Sequence, residues 1–128
     1  VPSSSLNDFF LEMNEENITA YETDLIAAFR RMDLGAIKMF HREGKLLQCC
    51  NKYGESAVHL TCRRGSYEIL EFLTTEANVS VRVRCDSGRT PLHDACWTSK
   101  PNFSLVHFLI ALCPELLLIA DNRGFSPL

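Results

Sequence analysis

Apolar residues recur along this chain at spacings of three and four, in short runs broken by glycine, asparagine or proline. Such runs predict short helices, each with one face turned to a core. The first, Leu6, Phe9, Phe10 and Met13, follows the cap-like Ser5-Leu6-Asn7-Asp8 and predicts an amphipathic helix over 6–13. Beyond the polar break 14–17, Tyr21, Leu25, Ala28, Phe29 and Met32 form a stripe behind Thr19-x-x-Glu22, predicting one long helix. Its partner is 34–43, with Ile37, Met39 and Phe40 inward and Gly44 as its stop. Residues 56–64 and 67–75 form a second pair split by Gly65, and 90–98 and 103–112 a third, with Pro114 beyond it. Between these pairs, Val79-Ser80-Val81-Arg82-Val83-Arg84 alternates as a strand does. Lying between helices, it is expected as a hairpin arm and not as part of a sheet.

The pattern repeats. Thr90-Pro91-Leu92-His93-Asp94-Ala95-Cys96 lies on Ser56-Ala57-Val58-His59-Leu60-Thr61-Cys62 at a shift of 34 (90 minus 56), and Gly88 lies on Gly54. Gly124-Phe125-Ser126-Pro127-Leu128 begins another copy, and Thr23-Asp24-Leu25-Ile26-Ala27-Ala28 is a fainter earlier one. Each position has a physical task. Ser56 and Thr90 are placed to cap a helix, Pro91 and Pro127 to occupy its first turn, and the glycines to make a tight turn before it. Leu92, Ala95 and Cys96, like Val58, Thr61 and Cys62, offer small or apolar side chains at helical spacing.

This motif resembles the ankyrin repeat, whose signature is T-P-L-H-x-A at a period near 33 residues. The resemblance runs from about residue 20 to the end of the chain. It implies an all-α solenoid of stacked helix pairs joined by hairpin loops, with repeats at about 19–50, 51–84, 85–120 and a partial one at 121–128. Ala57 and Val58 stand where the motif has Pro and Leu, and Lys100-Pro101 reads as an insertion. Residues 1–17 then form an acidic leading segment whose helix is expected to cap the open end of an array over 18–128.

Charge refines this division. The formal net charge is −3, yet Asp8, Glu12, Glu15, Glu16, Glu22 and Asp24 all precede residue 25 with no Lys or Arg among them. An acidic head thus leads a mildly basic array, too weakly basic for nucleic acid to be an expected partner. No apolar run reaches the length of a membrane span, and an intracellular location without membrane association is expected. The sequons at Asn17, Asn78 and Asn102 point the other way, but chance accounts for them in so Asn-, Ser- and Thr-rich a chain.

Six cysteines, Cys49, Cys50, Cys62, Cys85, Cys96 and Cys113, show no C-x-x-C spacing and read as small buried hydrophobes. His59 with Cys62 and His93 with Cys96 sit one helical turn apart and raise an alternative, a His/Cys metal-binding or thiol-dependent protein. Against it, the resemblance implies that these histidines bond the backbone of neighbouring hairpins. No phosphate-binding glycine loop, G-x-S-x-G or H-E-x-x-H is present, so no enzyme activity and no cofactor are expected.

The expected function is therefore protein recognition. The resemblance implies a concave face made of hairpin tips and the open sides of the inner helices. Aligned on the repeat, that face carries Lys52, Tyr53, Glu55, Arg63 and Arg64, then Asp86, Ser87, Arg89, Asp94 and Trp97, then Asn122 and Arg123. The fourth copy stops at its opening turn, so Ala95, Cys96, Phe108 and Leu109 are expected on an uncovered side. A longer array, or self-association through that side, would cover it.

Overall fold

Three helix pairs organise residues 9–128, the part of the chain that the computed structural model describes. A short α1 (Glu15–Thr19) leads to α2 (Thr23–Arg30) with α3 (Leu34–Arg42), α4 (Ala57–Arg64) with α5 (Tyr67–Thr75), and α6 (Pro91–Trp97) with α7 (Phe103–Leu112). A 3₁₀ turn over Pro114–Leu118 follows. The inner helices α2, α4 and α6 lie side by side in a row, with α4 and α6 in the most extensive contact. Among the described residues there is no β-strand, only one antiparallel bridge between Cys50 and Ser56. The stacked, all-helical architecture expected from the repeat is the one observed.

Local chemistry sets the helix ends. Ser56 takes an extended conformation and its hydroxyl accepts the His59 N–H at 3.1 Å, while Gly65 closes α4 at φ +74°. Ser66 caps α5 through the Ile69 N–H, and Asn102 caps α7 through the Ser104 and Leu105 amides. Asn102 also donates its own amide to Gly65 O at 2.9 Å, so the inserted break before α7 ties the third pair to the second. The side chains of Asn102 and Asn17 are thus both committed to main-chain partners.

Two glycines are required by close approach. A Cβ on Gly88 (φ +80°) would fall 2.9 Å from Asn122 N, and one on Gly54 (φ +78°) 3.0 Å from Cys85 Cα. Neighbouring hairpins touch at these points, so no side chain fits between them.

The core follows the predicted stripes, with Leu25, Phe29, Ile37, Leu70, Leu73, Leu92, Leu105 and Leu109 all at or below 1% exposure. Each such side chain contributes roughly 1.5–3 kcal/mol of apolar burial. Ala57 and Ala95 are buried where the inner helices meet, small enough for the backbones to approach.

Several expectations are corrected. The long helix expected from Thr19 covers only Thr23–Arg30, and the expected polar break 14–17 instead holds the cap and first turn of α1, because Asn17 anchors α1 to the first loop. Its Nδ2 donates to Gln48 O at 2.7 Å and its carbonyl accepts the Cys50 N–H at 3.2 Å, so the chain must turn before α2. Glu22, not a Thr19 box, occupies the cap position of α2, without a side-chain bond. Met32 leaves the helix with φ +55° and is exposed. Met39 is 58% exposed while Ile37 is fully buried, since residues two apart on a helix face different sides. On the C-terminal side, Ala95 and Leu109 are buried and Cys96 and Phe108 half-buried, while the exposed apolar groups include Phe103, Leu112 and Leu118.

Of the helix expected over 6–13, residues 6–8 lie outside the described residues, Phe9 is helical, and 10–14 are not. Leu11 donates its N–H to Arg82 O at 2.9 Å. Residues 9–11 therefore lie along the hairpin arm 81–84. The arm alternates as expected for an extended chain, with Val79 and Val81 buried and Arg82 exposed. Reciprocal bonds between Gln48 and Ser80, at 2.7 and 3.2 Å, join it to the preceding loop.

Candidate functional site

The repeat motif positions the candidate residues through its two histidines. His59 Nε2 meets the Arg89 carbonyl at 2.9 Å, and His93 Nε2 meets the Phe125 carbonyl at 2.9 Å. A carbonyl only accepts, so Nε2 carries the proton and Nδ1 is the acceptor. Nδ1 of His59 faces Ser56 N at 3.2 Å and Oγ at 2.8 Å, and Nδ1 of His93 faces Thr90 N at 3.1 Å and Oγ1 at 2.9 Å. Each ring thus closes a helix start and holds the next hairpin. Burial holds the His59 ring well below the usual imidazole range, with the Arg89 carbonyl working against it.

The hairpin tips form a polar row. Asp86 N–H donates to Tyr53 O at 2.8 Å, Asn122 N–H to Ser87 O at 2.9 Å, and Asn122 Nδ2 to Asp86 O at 2.6 Å. Lys52 lies 5.1 Å over the Tyr53 ring, and Arg123 lies 5.2 Å over the Phe125 ring. Asp121 supports the last tip by accepting the Arg123 and Phe125 amides, both at 2.9 Å, and those bonds lower its carboxyl below the usual range.

Behind the tips, four of the candidates form a closed ring of alternating charge. Arg63 reaches Glu55 at 2.7 Å and Asp94 at 3.1 Å, and Arg89 contacts the same two carboxylates, with Asp94 at 3.3 Å. Two members come from the second repeat and two from the third. Asp94 is 6% exposed and Arg63 is exposed, so the ring runs from a buried carboxylate out to the open face. Glu55, Arg63, Arg89 and Asp94 are consequently spent on one another.

The remaining candidates are open. Lys52, Tyr53, Arg64, Asp86, Ser87, Asn122 and Arg123 are exposed. Trp97 is 43% exposed, yet its indole N–H donates to Pro127 O at 3.0 Å and its ring meets His93 edge-on at 5.0 Å. It is an open aromatic fixed in one orientation.

The metal or thiol alternative loses its donors in this arrangement. Both nitrogens of His59 and of His93 are engaged, and Cys62 is buried with its thiol pushed far up by desolvation. Burial likewise pushes the Cys49 thiol up to about 12, away from the thiolate that ligation or nucleophilic attack needs. No three His, Cys, Asp or Glu side chains converge among the described residues. His107 is exposed, whereas His41 is half-buried with its ring edge-on to Phe72.

Comparison with known proteins agrees with this geometry, since the family of ankyrin repeats in three copies matches residues 25–127. The chain belongs to the ankyrin-repeat family. Its repeats are similar to part of the SMC5-SMC6 complex localization factor protein 1 of Homo sapiens, 33% identical over 78 residues, 61% of this chain and 7% of that protein. The Bos taurus protein of the same name is 32% identical over the same length, and the Mus musculus one 33% over 74 residues. The chain spans 7% of the length of these relatives. No helix among the described residues is long and apolar enough to cross a membrane.

The ion-pair ring is what sequence reasoning missed in this ankyrin array, although one signal was present. Glu55 and Arg89 stand 34 residues apart, one repeat, and carry opposite charges. Equivalent positions in stacked repeats are neighbours, so that opposition predicts a contact between repeats.

Proposed function

We propose that this chain is a non-catalytic protein-binding module whose partner docks along the hairpin tips and the open sides of the inner helices. Ankyrin repeats are protein-interaction modules, and the observation that carries the reading here is a division of labour. Glu55, Arg63, Arg89 and Asp94 neutralise one another and make a rigid floor, while Lys52, Tyr53, Arg64, Asp86, Trp97, Asn122 and Arg123 stay exposed around it. Tyr, Trp and Arg are the residue types that most often anchor interfaces, and ordering them beforehand reduces the entropy cost of binding.

The relatives' name supplies a partner class. A protein that localizes the SMC5-SMC6 complex must contact either that complex or a protein that recruits it, so this chain is proposed to serve in such an intracellular assembly. Binding of the chain to purified SMC5-SMC6 complex tests this by interferometry. The combined variant Tyr53→Ala, Arg64→Glu, Arg123→Glu is expected to weaken binding at least about thirtyfold with its thermal midpoint held. Wild-type affinity in that variant would move the interface elsewhere, and failure of the wild-type chain to bind would remove this partner.

A further inference from the structure

The hairpin arm 81–84 and the segment lying on it carry an inference independent of the tip-side interface. Along the arm, Val81 turns into the core and Val83 is half-buried, which leaves Arg82 and Arg84 on the other side of the extended chain. The chain's own residues 9–12, Phe9-Phe10-Leu11-Glu12, meet that side. Arg82 stacks over the Phe9 ring at 5.0 Å and Arg84 over the Phe10 ring at 4.6 Å. The two rings meet edge-on at 5.0 Å, and the Leu11 N–H donates to Arg82 O at 2.9 Å. The segment is thus held by one main-chain bond to the arm and by two adjacent rings, each facing a guanidinium group.

The fit is loose. Phe10 is buried, but Leu11 and Met13 are 49% and 47% exposed, and a cleft remains between the segment and the loops, lined by Leu11, Met13, Asn17, Gln48, Cys50 and Val83. Among the described residues the segment is held by one main-chain bond, one buried side chain and two cation–π contacts, each individually weak. Its chemistry is nonetheless specific, pairing two guanidinium groups with two adjacent aromatic rings, followed at once by Glu12 and then Glu15 and Glu16.

We propose that the arm 81–84 is a docking edge for an acidic peptide with two adjacent phenylalanines, and that segment 9–13 is its resident, displaceable competitor. The partner is thus a peptide segment of another protein with the chemistry Phe-Phe-x-Glu. When it binds, it takes the place of the chain's own segment on Arg82 and Arg84. The acidic head is a self-ligand that sets the threshold for binding.

The test uses the whole chain and, as probe, a labelled synthetic peptide of the sequence of residues 7–14. In the unaltered protein, saturating peptide is expected to speed hydrogen exchange at the Leu11 amide while the α4 and α6 amides keep their protection. By fluorescence anisotropy, the Phe9→Ala, Phe10→Ala chain is expected to bind the peptide about tenfold more tightly than wild type, because its competitor is weakened. Adding Arg82→Glu and Arg84→Glu is expected to abolish binding, whereas Trp97→Ala leaves it unchanged. Peptide binding that does not alter Leu11 exchange overturns the proposal, as does absence of binding to both wild-type and Phe9→Ala, Phe10→Ala chains. Because the readout involves neither the tips nor the SMC5-SMC6 complex, its failure is separate from failure of the tip-side interface.

Discussion

The first helix pair and the two that follow are copies of one motif held to their neighbours by different means. In the second and third, a fully buried histidine closes its own helix start and bonds a carbonyl about one repeat later. In the first, Ile26 stands where His59 stands one copy on (59 minus 33), and it is 2% exposed with only its backbone bonded. There the attachment passes instead through Asn17 and Gln48, side chains outside the motif. The helix forms with either residue, so the histidine acts between repeats more than within one.

This comparison breaks most directly by truncation. His59→Ala leaves Ser56 N–H and Arg89 O without a partner in a site of 0% exposure, which should cost about 2–4 kcal/mol. Ile26→Val, at the equivalent place in the first repeat, removes one methyl and should cost about 0.5–1.5 kcal/mol. Urea unfolding of the two variants measures the difference. Equal losses would mean that the histidine is merely filler.

A second contrast lies in the ion pairs. Asp94 receives two arginines and is itself only 6% exposed, whereas Lys45 and Glu22 meet at 3.6 Å near the first pair with side chains 45% and 49% exposed. Water screens the exposed pair, so Glu22→Gln should change stability by less than about 0.5 kcal/mol. Asp94→Asn keeps the shape but leaves Arg63 and Arg89 sharing a single carboxylate, and should cost about 1–3 kcal/mol. Calorimetry at low and high salt sharpens the contrast, since the Asp94 loss should survive salt that erases any effect at Glu22.

What the sequence disclosed follows the range of the interactions. Caps, glycine stops and apolar stripes act within one turn, and Ser56, Gly65, Tyr67–Thr75 and Phe103–Leu112 lie where the pattern puts them. Met39 misled because it is apolar in a helix whose buried face is already set by Ile37. The Thr19 box misled because Asn17 was pledged to Gln48, a partner 31 residues away. For the candidate face, alignment on the repeat put residues of neighbouring repeats side by side but did not show their mutual bonds. Only the opposite signs of Glu55 and Arg89 at one repeat position hinted that four of them pair internally. Segment 9–13 was legible as amphipathic, but the alternation of Val81, Arg82, Val83 and Arg84 had to be seen in place before its docking surface was clear.

The smallest effect expected is a pH dependence that the histidine repeats have and Ile26 cannot. Burial lowers the His59 pKa from the ordinary 6.5, despite the opposing pull of the Arg89 carbonyl, Asp94 and Glu55. Above about pH 6.5 the ring is neutral in folded and unfolded chains alike, and its full contribution is present. As pH falls below that value the unfolded chain binds a proton first, so stability declines until the folded ring titrates too. Protonation would also place an N–H on Nδ1 against the Ser56 N–H, 3.2 Å away. Asp33 and Asp121 have lowered pKa values, so their contributions are complete above their ordinary 3.8 and are lost only at still lower pH. The stability gap between wild type and His59→Gln, followed from about pH 7.5 to 5, should therefore narrow on acidification, while the gap between wild type and Ile26→Val stays level. A His59→Gln gap that does not change with pH would show that the buried ring binds its proton as readily in the array as in the unfolded chain.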